Sequence, residues 1–203
     1  PIWYNMGKAT NITYHPGELT RNDRRQVTGS LGTTLWMVGL SGSGKSTVAV
    51  ALEKALVEQG IAAFRLDGDN VRQGLCSDLG FSADERRENI RRVAEVAALM
   101  NQSGLVTIVS LISPTAELRS MAREIHRERD APFLECYIKA SVETCITRDP
   151  KGLYARAQRG EIAHFTGISA PFEIPTEPEL TLETEEYALE TLVERAIRAV
   201  KTR

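Results

Sequence analysis

The chain has 203 residues, 42% hydrophobic and 26% charged, with 25 Lys and Arg against 27 Asp and Glu. That length suits one compact domain with room for an extra arm or lid, and it buries enough core to need neither disulfides nor a structural metal. A formal net charge of −2 argues against a nucleic-acid partner held by bulk charge, and no apolar run approaches the roughly 18 residues of a membrane span.

Residues 1–32 read as an N-terminal arm, polar and aperiodic, with Pro16-Gly17 and a charged stretch from Arg21 to Arg25, ordered only by packing on something else. Residues 33–203 read as the folded domain. Leu35 to Val38 is a short apolar run that reads as a buried strand and stops at Gly39. From Lys45, apolar residues recur at Val48, Leu52, Ala55 and Leu56, a helical stripe ended by Gly60. Ala62 to Leu66 is the next strand, closed by Asp67-Gly68-Asp69. Ser82 to Glu85 is a capping box, and its helix carries Ile90, Val93, Ala97 and Met100 inward until Gly104. Leu105 to Ile112 is the most hydrophobic strand. Ser113-Pro114 is then expected to begin a helix, with Ser as cap and Pro at the first position. Phe133 to Ile138 is a fourth strand, and Ser141 opens a helix to about Asp149. From about 151 to 178 the chain is rich in Gly, Pro and aromatics around a short basic helix, as in a binding loop or lid. Leu180 to Leu182 is a last strand and Glu186 to Lys201 an amphipathic closing helix. The alternation predicts an α/β fold: a doubly wound, mostly parallel five-stranded sheet with helices on both faces, whose ligands sit at the carboxyl ends of the strands.

Cys76, Cys136 and Cys145 have no C-x-x-C spacing, and His15, His126 and His164 are scattered, so the chain reads as a reduced cytoplasmic protein without a zinc site. The N-terminus lacks the charged-then-apolar order of a signal peptide. The sequence starts at Pro1, which leaves a longer, fused polypeptide open.

Gly39-Leu40-Ser41-Gly42-Ser43-Gly44-Lys45-Ser46 fits G-x-x-x-x-G-K-[ST] at every fixed position, between a strand and a helix, as its mechanism requires. The glycines let successive backbone N–H groups face a polyphosphate, and the helix N-terminus adds partial positive charge. Gly42, Ser43, Gly44, Lys45, Ser46 and Thr47 are therefore the ATP-phosphate contacts, with Lys45 reaching the β and γ phosphates and the Ser46 hydroxyl ligating Mg²⁺. A dinucleotide G-x-G-x-x-G fails, because Thr47 stands at its third glycine, and no guanine-reading N-K-x-D occurs. A small kinase of the P-loop type remains. Asp67-Gly68-Asp69-Asn70 follows the second strand, and its two hinged carboxylates divide between the Mg²⁺ side and the acceptor side; an Asx turn is the competing reading.

Leu66 to Leu75, Leu79 to Ser82, Arg86 to Asn89, Ile112 to Pro114, Arg148 to Tyr154 and Gly160 to Ile168, in that order, closely resemble adenylylsulfate (APS) kinases. The resemblance implies transfer of the ATP γ-phosphate to the ribose 3′-hydroxyl of adenosine 5′-phosphosulfate, giving 3′-phosphoadenosine 5′-phosphosulfate (PAPS) for sulfate assimilation. It also implies Mg²⁺ as cofactor and a cytoplasmic homodimer. It assigns Asp69 to the acceptor hydroxyl and Asp67 to the Mg²⁺ side. Arg72, Arg86 and Asn89 match acceptor-binding positions, as do Asn70, Ile112 and Lys151. Phe81 and Phe165 match the aromatics that sandwich the acceptor's adenine; core packing competes with this, more for Phe81 than for Phe165, which sits among Gly and polar neighbours. Arg148 and Tyr187 fall near the ATP base. Ser113 matches a serine described in the family as a phosphorylated intermediate, but direct transfer is the simpler route and leaves Ser113 as a pocket residue. Two alternatives stay open: a small P-loop kinase for another acceptor, and a PAPS-binding regulatory domain fused to or associated with an ATP sulfurylase.

Overall fold

The computed structural model describes residues 11–202, so the first ten residues of the predicted arm lie outside it. Five strands, β1 (Thr33–Val38), β2 (Ala63–Asp67), β3 (Val106–Ser110), β4 (Phe133–Lys139) and β5 (Leu180–Glu183), form one sheet in the order β2-β3-β1-β4-β5. All four pairings are parallel. Every residue of β1 is buried, because this central strand is covered on both faces. Its side chains alternate between two cores. Leu35 and Met37 meet Val48, Leu52 and Leu56 of α2 (Lys45–Glu58) and Leu192, Ala196 and Val200 of α8 (Leu189–Lys201). Trp36 and Val38 meet Ile90, Val93 and Ala97 of α4 (Ala83–Gln102) and Leu118, Ala122 and Ile125 of α5 (Ala116–Glu128). The doubly wound sandwich expected from the sequence is thus the fold observed.

The chain leaves β1 toward β2 on one side and later reaches β4 on the other, so a crevice opens at the carboxyl end of β1. Residues 39–44 occupy it. A third cluster roofs the crevice: Leu40, Cys145 of α6 (Val142–Arg148), Tyr154 of α7 (Leu153–Gln158) and Phe165 pack together, and the Tyr154 hydroxyl donates to the Ser41 carbonyl at 2.9 Å.

Two local expectations change, and one alternative is decided. The charged stretch of the arm is a helix, α1 (Arg21–Thr28), with no buried residue. Caps make it. Thr20 and Asp23 form a capping box, and Gly29 closes the other end at φ 71°. It docks on this domain: Arg21 donates to the Asp130 carbonyl at 2.8 Å, and Ala62 N–H donates to the Thr28 carbonyl at 2.8 Å. Residues after Asp67 wind into a single helical turn, α3 (Gly68–Val71), capped by the Asp67 carboxylate, which accepts from Asp69 N–H as in the Asx turn weighed for this segment. Ser113-Pro114 does not begin α5. Thr115 is the N-cap, its hydroxyl accepting from Leu118 N–H, and Ser113 sits at φ +45°, away from the extended backbone that a serine N-cap takes.

Candidate active site

Gly42 and Gly44 hold left-handed backbone at φ 76° and 101°. A Cβ on Gly42 would stand 2.9 Å from the Cys145 carbonyl oxygen, so both conformation and space demand glycine there. The loop then feeds α2, whose first residue is Lys45. Its ammonium is buried and donates to the Gly39 and Leu40 carbonyls at 2.9 and 2.7 Å. Burial lowers its pKa to about 8, against the opposing pull of Cys145 and Asp67 nearby. Lys45 is therefore parked on the loop's own backbone beside the place where anions would bind. Ser46 and Thr47 are exposed in the first turn of α2, while Ser43 is buried.

Asp67 ends β2 with its carboxylate turned to this loop. Its Oδ2 accepts from the Ser46 hydroxyl at 2.7 Å and its Oδ1 from Asp69 N–H at 3.1 Å. Arg65 Nη1 lies 3.7 Å from Oδ2. In register with Asp67 on β3 stands Ser110, buried, its hydroxyl without a hydrogen-bond partner. Ser46, Asp67 and Ser110 are hard oxygen donors of the sort Mg²⁺ takes alongside phosphate and water. No group of three or more His, Cys, Asp or Glu side chains poised for a metal occurs among the described residues. Mg²⁺ held chiefly by substrate oxygens fits this set; a self-contained protein cage does not.

Asp69, two residues on, projects outward and ion-pairs with Lys151, two residues before α7. Asn70 beside it is exposed. Arg72 donates to the Leu79 and Gly80 carbonyls at 2.9 and 2.8 Å, and its guanidinium lies 4.3 Å from the centre of the Phe81 ring. Arg86, in the first turn of α4, spans a gap: Nε donates to the Phe81 carbonyl at 2.9 Å, Nη2 to the His164 carbonyl at 2.8 Å and Nη1 to the Thr166 hydroxyl at 3.1 Å. It thereby ties together the two segments that carry Phe81 and Phe165. The structure reverses the expectation for these rings. Phe81 is 67% exposed, and Phe165 is buried edge-on against Tyr154, with centroids 5.0 Å apart. Asn89, one turn after Arg86, is buried with its amide nitrogen unpaired.

Ile112 and Ser113 lie at the opposite wall. The Ile112 carbonyl accepts from Gly39 N–H at 3.4 Å, and the Ser113 hydroxyl accepts from Trp36 Nε1 at 3.0 Å. Arg148 sits on the donor side: it donates to the Thr184 hydroxyl and carbonyl, both at 3.0 Å, while the Thr184 hydroxyl donates to the Ser43 carbonyl at 2.8 Å. Arg148 thus fastens the loop after β5 to the phosphate loop. Tyr187 stands at the rim of that loop, half-exposed, with Arg195 5.3 Å from its ring centre. Thr184 and Trp36 escaped sequence reasoning. A threonine closing a strand hints at Thr184, whereas nothing local marks Trp36, whose partner is 77 residues away. A neighbouring cleft of about 750 Å³, between Tyr137, Val142 and Phe172, touches the phosphate loop only at Leu40, so the nucleotide site is located by its amides and side chains and not by that concavity.

The site so built is a phosphate loop with a pair of carboxylates beside it, and the chain as a whole is similar to known proteins. The family model of adenylylsulphate kinase matches residues 31–183. The adenylyl-sulfate kinase of Staphylococcus carnosus is 51% identical over 193 residues, 95% of this chain and 96% of its own. That of Clostridium acetobutylicum is 47% identical over 197 residues, 97% of each chain. Among solved structures, the Mycobacterium tuberculosis APS kinase in complex with AMPPNP and APS superposes with a TM-score of 0.82 at 45% identity, over 84% of this chain and 98% of that one. With its phosphate loop, its paired aspartates and matches of this length, the chain belongs to the adenylylsulphate kinase family.

Proposed function

We infer that the chain is an adenylyl-sulfate kinase, which moves the γ-phosphate of ATP to the ribose 3′-hydroxyl of APS and releases ADP and PAPS. The observation that carries this reading is the Asp67–Asp69 pair, with one carboxylate on the Ser46 hydroxyl of the phosphate loop and the other on Lys151 of the lid. Two carboxylates hinged in this way serve two substrates at once.

Phosphoryl transfer is loose, so positioning and charge neutralisation carry most of the rate. The amides of Gly42 to Thr47 take the ATP phosphates at the N-terminus of α2. Lys45 leaves its two carbonyls for the β and γ phosphates, whose negative charge offsets the burial that lowers its pKa. Ser46 and Asp67 would hold Mg²⁺, which supplies charge neutralisation on the phosphates when bound. Asp69 orients the acceptor hydroxyl and takes its proton as the O–P bond forms. Lys151 exchanges Asp69 for substrate phosphate. Arg86 has five N–H groups and three hydrogen bonds to protein, so two remain for the anionic end of APS. Phe81 and Phe165 flank the APS adenine, and Asn89 supplies an unpaired amide donor. Arg148 and Tyr187 border the ATP base. The three buried, free thiols support a cytoplasmic location, and no helix among the described residues is long and apolar enough to cross a membrane. The homodimer rests on the family resemblance.

A coupled ADP-release assay comparing APS with adenosine, AMP and shikimate tests the reading. We expect APS to turn over with a kcat/KM at least about 10³-fold above the others, since a site built around charged groups rejects ligands that leave them unpaired. Equal rates on all four acceptors would remove APS as the substrate.

A further inference from the structure

Arg119 is a buried cation that none of the chemistry above uses. It is 4% exposed, lies on the first turn and a half of α5, and spans two partners: Nη1 donates to the Ser113 carbonyl at 3.1 Å, and Nε lies 2.9 Å from Glu135 Oε1 on β4. Glu135 is held in turn. Its other oxygen lies 3.4 Å from Arg123 Nη2, Arg123 pairs with Glu179, and Glu179 accepts from Glu135 N–H at 2.7 Å. A fork of fixed, planar N–H groups can meet a carboxylate and a carbonyl together, whereas one ammonium on a flexible stem cannot hold both in the same geometry.

What this fork holds is unusual backbone. Ser113 is a non-glycine residue at φ +45°, buried at the acceptor wall, and such a conformation persists only where its surroundings over-determine it. Three contacts do so. Trp36 Nε1 donates to the Ser113 hydroxyl, Arg119 donates to its carbonyl, and Glu173 pins the next residues, its N–H on the Pro114 carbonyl at 2.8 Å and its carboxylate on Ala116 N–H at 2.7 Å. Of these, Arg119 alone reaches the Ser113 backbone.

We propose that Arg119, aligned by Glu135, is a positioning residue for the acceptor half of the site: it sets the left-handed turn at Ser113 and so fixes the wall formed by Ile112 and Ser113. The proposal rests on the APS kinase reading for its substrate and on the Trp36–Ser113–Arg119 geometry for its mechanism. Among the described residues no side-chain hydrogen bond or ion pair joins Arg119 or Glu135 to the phosphate loop or Asp67; the wall itself meets the donor half through Gly39 N–H on the Ile112 carbonyl at 3.4 Å, a long contact, so the ATP side is expected to respond less.

The test uses Arg119→Lys and Glu135→Gln in the full chain, in a Trp3→Phe background that leaves Trp36 as the one indole. Each variant is measured for KM of APS, KM of ATP and the NMR resonance of the indole N–H. The expected result for Arg119→Lys is a KM for APS raised about tenfold, a KM for ATP within about twofold, and a displaced indole resonance. Glu135→Gln is expected to move the same two quantities in the same direction by less. Should Arg119→Lys not fold, Glu135→Gln decides by the same readouts. An unmoved resonance in a folded variant overturns the proposal, as does a parallel rise of both KM values, which is what general loosening of the fold produces. A parent chain inactive on APS would instead refute the substrate reading, while the resonance still reports whether Arg119 holds Ser113.

Discussion

At Ser113 one hydrogen bond separates two chemistries. A serine that accepts a phosphoryl group needs a base to take its proton. Among the described residues this hydroxyl meets the Trp36 indole N–H, a donor, and no base, and the residue is 2% exposed. What the hydroxyl visibly does is hold the indole. On the function proposed above, transfer goes directly to the acceptor, with Asp69, exposed and paired with Lys151, at the reacting oxygen. Ser113→Ala should accordingly retain turnover, measured by ADP release. It should also lose stability, because the buried indole N–H is left unpaired at a cost of about 1–3 kcal/mol, or roughly 2–4 °C of melting temperature per kcal/mol in a chain of this size. Complete loss of turnover in a folded variant that still binds ATP would restore the phosphoserine route. The serine's role was legible as position but not as conformation. Ser-Pro reads as a helix start on local rules, and the contacts that hold Ser113 otherwise include Trp36, whose distance of 77 residues in sequence hides it.

At the scale of elements, legibility tracks how local the cause is. The start of α4 is written in Ser82 and Glu85 and is observed as written: the Ser82 hydroxyl accepts from Glu85 N–H at 3.3 Å, and Glu85 accepts from Ser82 N–H at 3.0 Å. The end of α2 lies just before Gly60 for the same reason. By contrast α1 buries nothing, so it has no apolar period to read. Only Thr20, Asp23 and Gly29 announce it, and their meaning depends on Arg21 finding the Asp130 carbonyl across the domain. The α4 cap has a consequence for function, because Arg86 lies in its first turn and Asn89 one turn on. Ser82→Ala should cost about 1 kcal/mol of stability, lowering the melting temperature by roughly 2–4 °C. It should also raise the KM for APS more than the KM for ATP, whose contacts come from α2. Calorimetry and paired KM measurements check this; equal changes in the two KM values would detach the cap from the acceptor site.

For the molecule as a whole, the alternation of strands and helices was enough to give a doubly wound sheet, but the order β2-β3-β1-β4-β5 was not derivable from it. Strand order depends on which faces fit, and part of that fit is polar and buried. His126 shows how. It is fully buried between α5 and β1, its ring 4.9 Å from that of Phe133. Nδ1 faces the Ala122 carbonyl at 2.8 Å, which can only accept, so Nδ1 carries the proton and Nε2 accepts from the Thr34 hydroxyl at 2.9 Å. Burial lowers the pKa to about 4. The unfolded chain takes up this proton near pH 6.5, whereas the folded one resists until about 4, so the stability is fully present above 6.5 and declines as pH falls. About 1.4 kcal/mol per unit over that window makes a loss of about 3 kcal/mol, a sizeable share of the 5–15 kcal/mol typical of a folded domain. The Glu88 carboxylate, lowered to about 2 by Arg91 and Arg92, acts in a separate window, its contribution fading only below about 4.5. Urea midpoints of the parent chain should therefore fall between pH 6.5 and 4, and His126→Gln, which keeps a donor and an acceptor in place of the ring nitrogens, should flatten that fall even if it lowers the midpoint at pH 7. Parallel pH profiles for the two proteins across this window would assign the acid sensitivity to groups other than His126.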